Sequence, residues 1–148
     1  NNMRNQCCFR QEVDVEDNNV MIMLLNGGIK ASYLQCHFTP DYERNYVFIG
    51  TEGRMENSEP KMNVWVKMRR ANSWKELADR TYEIRPAMGG HGGADPVITE
   101  QFVEMVLDGK EPVATPIDGR MSVAVGCCGA ESMRNGGMPV DVPAVREE

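Results

Sequence analysis

Residues 46–68 read YVFIGTEGRMENSEPKMNVWVKM, and this stretch decides the fold class. A hydrophobic run at 46–49 meets the turn GTEG at 50–53, and residues 54–56 return the chain. Apolar and polar residues then alternate over 62–68, which is the period of a strand with one covered face. Residues 80–85 repeat that alternation. Short strands joined by turns rather than by helices predict an antiparallel meander.

A hairpin signal lies upstream of the meander, around Asn26-Gly27. The run VMIMLL at 20–25 precedes this pair and a second β-capable run at 29–38 follows it, which predicts a β-hairpin. The first run is apolar on both faces, so we expect it inside a sheet with both sides covered. Residues 1–18 are polar and acidic, and we expect a poorly ordered lead-in there, followed by a single domain over 19–148.

Two helix signals lie downstream. The sequence GGHGG at 89–93 precedes Asp95 and Pro96, which suit the N-cap and first position of a helix that stops at Gly109. The sequence TPID at 115–118 resembles a capping box with Asp in place of Glu, and Gly136-Gly137 ends the second helix. Strands followed by helices predict an α+β fold, an open and mostly antiparallel sheet with the helices packed on one face.

Composition excludes several classes of function. The net charge is −6 and no basic run occurs, which argues against a nucleic-acid partner. No apolar run approaches the roughly 20 residues that span a bilayer, and no signal pattern is present, so we expect no membrane association. The odd number of cysteines favours reduced thiols in the cytoplasm, and their spacing indicates no metal site. These cysteines are Cys7, Cys8, Cys36, Cys127 and Cys128.

The chain also lacks a nucleotide-binding loop. No Gly-x-Gly-x-x-Gly follows a predicted strand, and no Gly-x-x-x-x-Gly-Lys-Ser/Thr occurs. A Rossmann domain is therefore absent from this chain. Because the chain begins at Asn1 without an initiator methionine, we expect it to be part of a longer parent protein.

Several motifs occur together in one order: the Asn26-Gly27 hairpin, GTEG at 50–53, GHGGAD at 90–95, and SMRNGG at 132–137 before Pro139-Val140. Over residues 13–143 this set resembles the C-terminal domain of the glucose–fructose oxidoreductase/inositol dehydrogenase/rhizopine-catabolism (Gfo/Idh/MocA) superfamily. The resemblance implies a parent that is an NAD(P)-dependent oxidoreductase acting on a sugar, cyclitol or similar polyol. NAD or NADP would bind the parent's Rossmann domain, and subunits would pair as a homo-oligomer through the open sheet face.

The same resemblance limits what this chain does alone. The superfamily's Glu-Lys-Pro motif, which carries the catalytic lysine, does not occur here. We therefore expect the chain by itself to bind no cofactor and to be catalytically incompetent. Two alternatives remain open: the same domain of an NAD-using glycosidase, and a purely structural module that pairs subunits.

His91 is the strongest candidate for a site residue. Glycine pairs on both sides free its backbone to approach a ligand, and it lies just before a helix N-terminus. The loop also resembles the His-Gly-Gly-Met-Asp element of the superfamily's glycosidases, whose histidine lies at the sugar, although Ala94 replaces the methionine. We predict that His91 and Asp95 contact substrate, with His91 a weaker candidate for proton transfer and Asp95 first of all a helix cap.

A second candidate cluster follows the predicted hairpin. His37, Asp41 and Tyr42 could hydrogen-bond sugar hydroxyls, and the ring of Tyr42 could stack on a pyranose. The alternative is a strand end followed by an Asp-containing turn. Trp65 shares its predicted strand face with polar residues, which suggests cover by another subunit or by a loop. Trp74 is open to the same interpretation.

Overall fold

The computed structural model describes residues 7, 10–70 and 77–145, and it has the predicted α+β architecture. Six strands precede two helices, as the order of signals in the sequence predicts. The strands are β1 (Asn18–Leu24), β2 (Lys30–Cys36), β3 (Val47–Ile49), β4 (Gly53–Ser58), β5 (Asn63–Met68) and β6 (Arg80–Glu83). The helices are α1 (Gly90–Asp108) and α2 (Pro116–Arg134). The expectation for residues 1–18 and for Trp74 falls partly or wholly outside the described residues.

The chain divides into two compact units, Asn1–Tyr42 and Glu43–Glu148. The first unit contains the predicted hairpin, in which β1 and β2 pair antiparallel from Asn18↔Cys36 to Leu24↔Lys30. Its turn is a short 3₁₀ segment with Gly27 at φ 77° and Gly28 at φ 78°, a left-handed conformation that favours glycine. The Leu25 amide donates to the Ile29 carbonyl at 2.8 Å and closes the turn.

The prediction that β1 lies inside a sheet with both sides covered is wrong. In the described residues β1 and β2 form a two-stranded sheet, and one face of β1 is open. Val20, Ile22 and Leu24 on that face are 66–79% exposed, whereas Asn19, Met21 and Met23 on the other face are half-buried. An apolar run indicates which side chains favour cover, but neighbouring elements decide whether both faces receive it.

The second unit contains the predicted meander, a four-stranded antiparallel sheet in the order β3-β4-β5-β6. The turn at 50–53 is closed by the Gly50 amide, which donates to the Gly53 carbonyl at 2.8 Å. Gly53 begins β4 directly against β5, where a β-carbon would collide with the carbonyl oxygen of Lys67. Glycine at this position therefore permits the strand pair to form next to the turn.

The pairing register gives this sheet two unlike faces. The mainly apolar face carries Phe48, Met55, Val64, Val66, Met68 and Tyr82 together with Asn57 and Arg80. The mainly polar face carries Arg54, Glu56, Ser58, Asn63, Trp65, Lys67, Thr81 and Glu83, with Val47 and Ile49 at its β3 edge. Among the described residues no hydrophobic side chain is fully buried, and extensive contacts between elements are those of neighbouring strands. The apolar face is thus an open surface of the second unit.

An extended segment after α2 runs back along that helix. The Ser132 hydroxyl donates to the Met138 carbonyl at 2.6 Å, and Arg120 Nη1 donates to the Pro143 carbonyl at 2.6 Å. Between them the Cys128 thiol lies 3.8 Å from the Asp141 carbonyl. Because positions 120, 128 and 132 contact residues 143, 141 and 138 in that order, the segment runs antiparallel to α2.

Candidate functional site

The loop that begins α1 has an unusual backbone. His91 (φ 52°, ψ 43°), Gly92 (φ 67°) and Gly93 (φ 90°) form a left-handed turn, and right-handed helix follows from Ala94. The predicted N-cap at Asp95 is wrong, because Asp95 already has right-handed helical backbone and its carboxylate bonds to the His91 ring. Gly89, which precedes the left-handed turn, makes no side-chain cap either. Pro96 falls in the first right-handed turn, where its missing N–H removes no helical hydrogen bond.

Three glycines let this loop fold closely on itself. A β-carbon on Gly89 would lie 2.7 Å from Cγ of Pro96, and one on Gly93 would collide with the methyl group of Ala87. A β-carbon on Gly90 would collide with the carboxylate of Asp95. Larger residues at these positions would push the two ends of the loop apart, so the glycines fix its shape as well as permit its dihedral angles.

The loop brings His91 and Asp95 together. Nδ1 of His91 lies 2.8 Å from Oδ1 of Asp95, while the side chains are 84% and 53% exposed. The Thr99 hydroxyl donates to the Asp95 main-chain carbonyl at 2.9 Å and ties the loop to the next turn of the helix. The result is an imidazole that is accessible to a ligand and is hydrogen-bonded on one nitrogen.

This loop does not fit the dinucleotide that the resemblance implies for the parent. The Asp95 carboxylate lies against Gly90 at the mouth of the loop, where it would repel a pyrophosphate. In addition, α1 is followed by α2 rather than by a parallel strand, so the described residues form no dinucleotide-binding βαβ unit here. The groups that the loop exposes are the imidazole of His91 and the carboxylate of Asp95, both of which form hydrogen bonds.

The second predicted cluster lies beyond β2, in the first unit. Nε2 of the His37 ring lies 2.5 Å from Nε2 of Gln35. The main-chain amide of His37 donates to the Asp17 carbonyl at 2.8 Å. The Thr39 hydroxyl donates to the main-chain carbonyl of Asp41 at 2.5 Å, which forms a local turn. Tyr42 is mostly exposed. His37, Asp41 and Tyr42 thus belong to a different compact unit from His91 and Asp95.

Trp65 lies on the mainly polar face of the meander, and a side chain from the turn before β5 lies over its ring, which is one of the two kinds of cover predicted for it. Lys61 Nζ lies 5.6 Å from the centroid of its ring, which is a cation–π contact. In the sequence, the only indication of the Lys61–Trp65 contact was that the lysine comes four residues before the tryptophan. Trp65 itself is half-buried.

Two carboxylates in the second unit hold structural positions. The Thr115 hydroxyl and the Thr115 amide both donate to the Asp118 carboxylate. These bonds, that from the hydroxyl most of all, lower the pKa of the Asp118 carboxyl. At the end of β5 the Met68 amide donates to Asp79, and this bond and the Arg70 guanidinium lower the pKa of Asp79. Both groups stabilise backbone ends rather than form a reactive site.

The first turn of α2 also borders a shallow cleft of about 440 Å³, which the segment at 143–145 lines on its other side. None of the predicted site residues lines this cleft, and its Arg120 is engaged with Pro143. The described residues contain no group of three or more His, Cys, Asp or Glu side chains that could hold a metal ion. In the same part of the chain, neither helix has the length and apolar character needed to cross a bilayer.

Fold and site together define an α+β domain with open antiparallel sheets, whose first helix begins at a glycine–histidine loop. The chain belongs to the family described as "Oxidoreductase family, C-terminal alpha/beta domain", which matches residues 3–142. This match confirms the Gfo/Idh/MocA resemblance.

A Bacillus subtilis (strain 168) protein named "Putative oxidoreductase YteT" is 31% identical over 132 residues. The similarity covers 81% of this chain and 30% of that protein, so the chain spans less than a third of the length of this curated relative. No solved structure matches the chain significantly.

Proposed function

We propose that this chain is the substrate-side domain of an NAD(P)-dependent oxidoreductase that acts on a sugar, cyclitol or similar polyol. The observation that carries the proposal is the exposed His91 ring, held by Asp95 on a left-handed glycine loop at the start of α1. One nitrogen of this imidazole is engaged with Asp95 and the other is open to a ligand, so the ring can hydrogen-bond a hydroxyl group of a substrate.

In this proposal the nicotinamide cofactor is held by residues outside this chain. The cofactor would accept or deliver the hydride, whereas His91 binds and orients a substrate hydroxyl. His37, Asp41 and Tyr42 are secondary candidates for substrate contacts. The four described cysteines, Cys7, Cys36, Cys127 and Cys128, are free thiols, which supports a reducing compartment such as the cytoplasm.

The experiment is a turnover assay of the full-length protein with NAD or NADP and a panel of sugars and cyclitols, followed by the absorbance of the reduced nicotinamide. We expect His91→Ala to lower kcat/KM on the order of 10- to 100-fold, because it removes the hydrogen bond to substrate and leaves a substrate hydroxyl without its partner. The matched control is Glu100→Gln, an exposed position on the same helix, which we expect to retain wild-type turnover.

Two results would contradict the proposal. One is wild-type turnover by His91→Ala on every active substrate, which would remove His91 from the site. The other is cleavage of an aryl glycoside without net nicotinamide reduction, which would favour the NAD-using glycosidase.

Subunit pairing is a second part of the proposal. The open apolar face of the meander supports it, since Phe48 is 59% exposed and Tyr82 51% exposed on that face. Surfaces of this kind mark protein interfaces. We expect light scattering to report a homo-oligomer that Phe48→Asp dissociates, while Val113→Asp, outside the sheet, leaves it intact. A wild-type monomer would contradict the pairing.

A further inference from the structure

We propose that Asp95 is a positioning residue that fixes the tautomer of His91, so that Nε2 is the hydrogen-bond acceptor offered to substrate. The part of this inference that names a substrate rests on the proposed function, whereas the tautomer of the His91 ring does not depend on it. The sequence predicts Asp95 as a helix cap and a direct substrate contact, whereas in the structure its carboxylate bonds to the His91 ring.

The first step is the direction of the hydrogen bond. A carboxylate only accepts hydrogen bonds, so Nδ1 of His91 must donate across the 2.8 Å contact to Oδ1. In a neutral imidazole the remaining nitrogen, Nε2, then carries the lone pair. Because a histidine side chain free in water favours the opposite tautomer, the Nδ1–H form is a specific signature of Asp95.

The second step is the confinement of the carboxylate. Its other oxygen, Oδ2, lies against the α-carbon of Gly90, where no β-carbon fits, and the Thr99 hydroxyl holds the Asp95 main chain. His91 is constrained from its own side by its left-handed backbone. Both partners are therefore held in place. The His91 side chain is 84% exposed, so its Nε2 is accessible to a ligand.

The third step is chemical. An acceptor at Nε2 orients a substrate hydroxyl by taking its O–H hydrogen bond, and the nearby carboxylate strengthens that acceptor through the ring. Asp95 does this without touching substrate.

The experiment is ¹⁵N NMR of the imidazole nitrogens in the full-length protein, with the His91 signals assigned by their loss in His91→Gln. We expect wild type and Glu100→Gln to show Nδ1–H, and Asp95→Ala to show the Nε2–H form. Gly90→Ala is the second variant: it keeps both side chains, and its β-carbon forces the carboxylate to swing away from His91. We expect the same tautomer change there.

The kinetic readout accompanies the spectra. We expect Asp95→Ala and Gly90→Ala to lower kcat/KM on the order of 10-fold, and Asp95→Asn to recover part of the loss, since its amide oxygen still accepts from Nδ1. A proton on Nε2 in wild type, or an unchanged tautomer in both Asp95→Ala and Gly90→Ala, would overturn the inference. A tautomer change with full turnover in His91→Gln would leave Asp95 as the positioning residue and overturn the substrate role of His91 instead.

Discussion

The two helices of the second unit begin in opposite ways. At the start of α2 the Thr115 side chain accepts from the Asp118 amide at 3.2 Å, while the Thr115 amide donates to the Asp118 carboxylate at 2.8 Å. The start of α1 has no side-chain cap, and its residues 91–93 are left-handed. The carboxylate nearest that start, Asp95, bonds to a neighbouring side chain instead of to backbone amides.

This difference separates a capped helix start from an uncapped one, for which we propose a functional role. A capping box satisfies exposed amides and stabilises its helix, whereas a left-handed residue with a side chain costs free energy. The left-handed conformation of His91 destabilises the α1 loop, and it places the imidazole at the surface in contact with Asp95. Variants at the start of α2 should therefore change stability alone, whereas variants in the α1 loop should change substrate handling, and those that distort its backbone should lower stability as well.

The largest stability effect is expected at the α1 loop itself. Gly93→Ala adds a methyl group that collides with Ala87, at a φ of 90° that side chains rarely adopt. We expect a loss of roughly 2–3 kcal/mol in the free energy of unfolding, together with reduced turnover. Urea denaturation measures the first and the polyol assay the second. Wild-type stability would show that the loop rearranges freely and does not hold His91.

A smaller loss is expected at the start of α2. Thr115→Ala removes the side-chain half of the capping box and should lower the free energy of unfolding by about 1 kcal/mol. We expect its KM and kcat to remain at wild-type values. Asp95→Ala should show the reverse, with an almost unchanged unfolding midpoint and reduced turnover. Equal effects of both variants on turnover would remove the distinction between the two helix starts.

A gain in stability is expected one turn further along α2. Gly119 lies in ordinary helix with open space around its α-carbon, so Ala restricts the unfolded chain without a clash. Gly119→Ala should raise the free energy of unfolding by roughly 0.5–1 kcal/mol. The comparison with Gly93→Ala is direct, since the same substitution is expected to lower the free energy of unfolding in the α1 loop and to raise it in α2. A destabilised Gly119→Ala would indicate that something else packs on this face of α2.

Local patterns in the sequence predicted much of this fold. The alternation over 62–68 identified β5, and TPID at 115–118 identified the capping box, because strand period and cap chemistry act within a few residues. The covered position expected for β1 failed for the opposite reason. Cover on both faces depends on neighbouring elements, which an apolar run such as 20–25 does not specify.

The sequence identified His91 as a candidate but did not predict its contact with Asp95. The sequence GGHGG at 89–93 pointed to His91, since glycine pairs indicate backbone freedom around a polar ring. It could not show that the chain would turn left-handed there and bring His91 within reach of Asp95. Aspartate is a strong helix cap by propensity, but a histidine four residues earlier competes for the same carboxylate. The left-handed backbone at residues 91–93 decided between the two partners.

The smallest expected effect is the pH dependence of the α2 start. Hydrogen bonds from Thr115 lower the pKa of Asp118 in the folded chain, so the folded state favours the ionised carboxylate. This contribution to stability is complete above the unfolded pKa of about 3.9 and is lost as pH falls through the lower folded value. We expect the difference in thermal midpoint between wild type and Asp118→Asn to be constant from neutral pH to about pH 5 and to shrink below pH 4. In a Thr115→Ala background the same substitution should have a smaller effect, because the two residues act as one unit. A midpoint difference that does not change with pH would mean that Asp118 acts through its shape and not its charge.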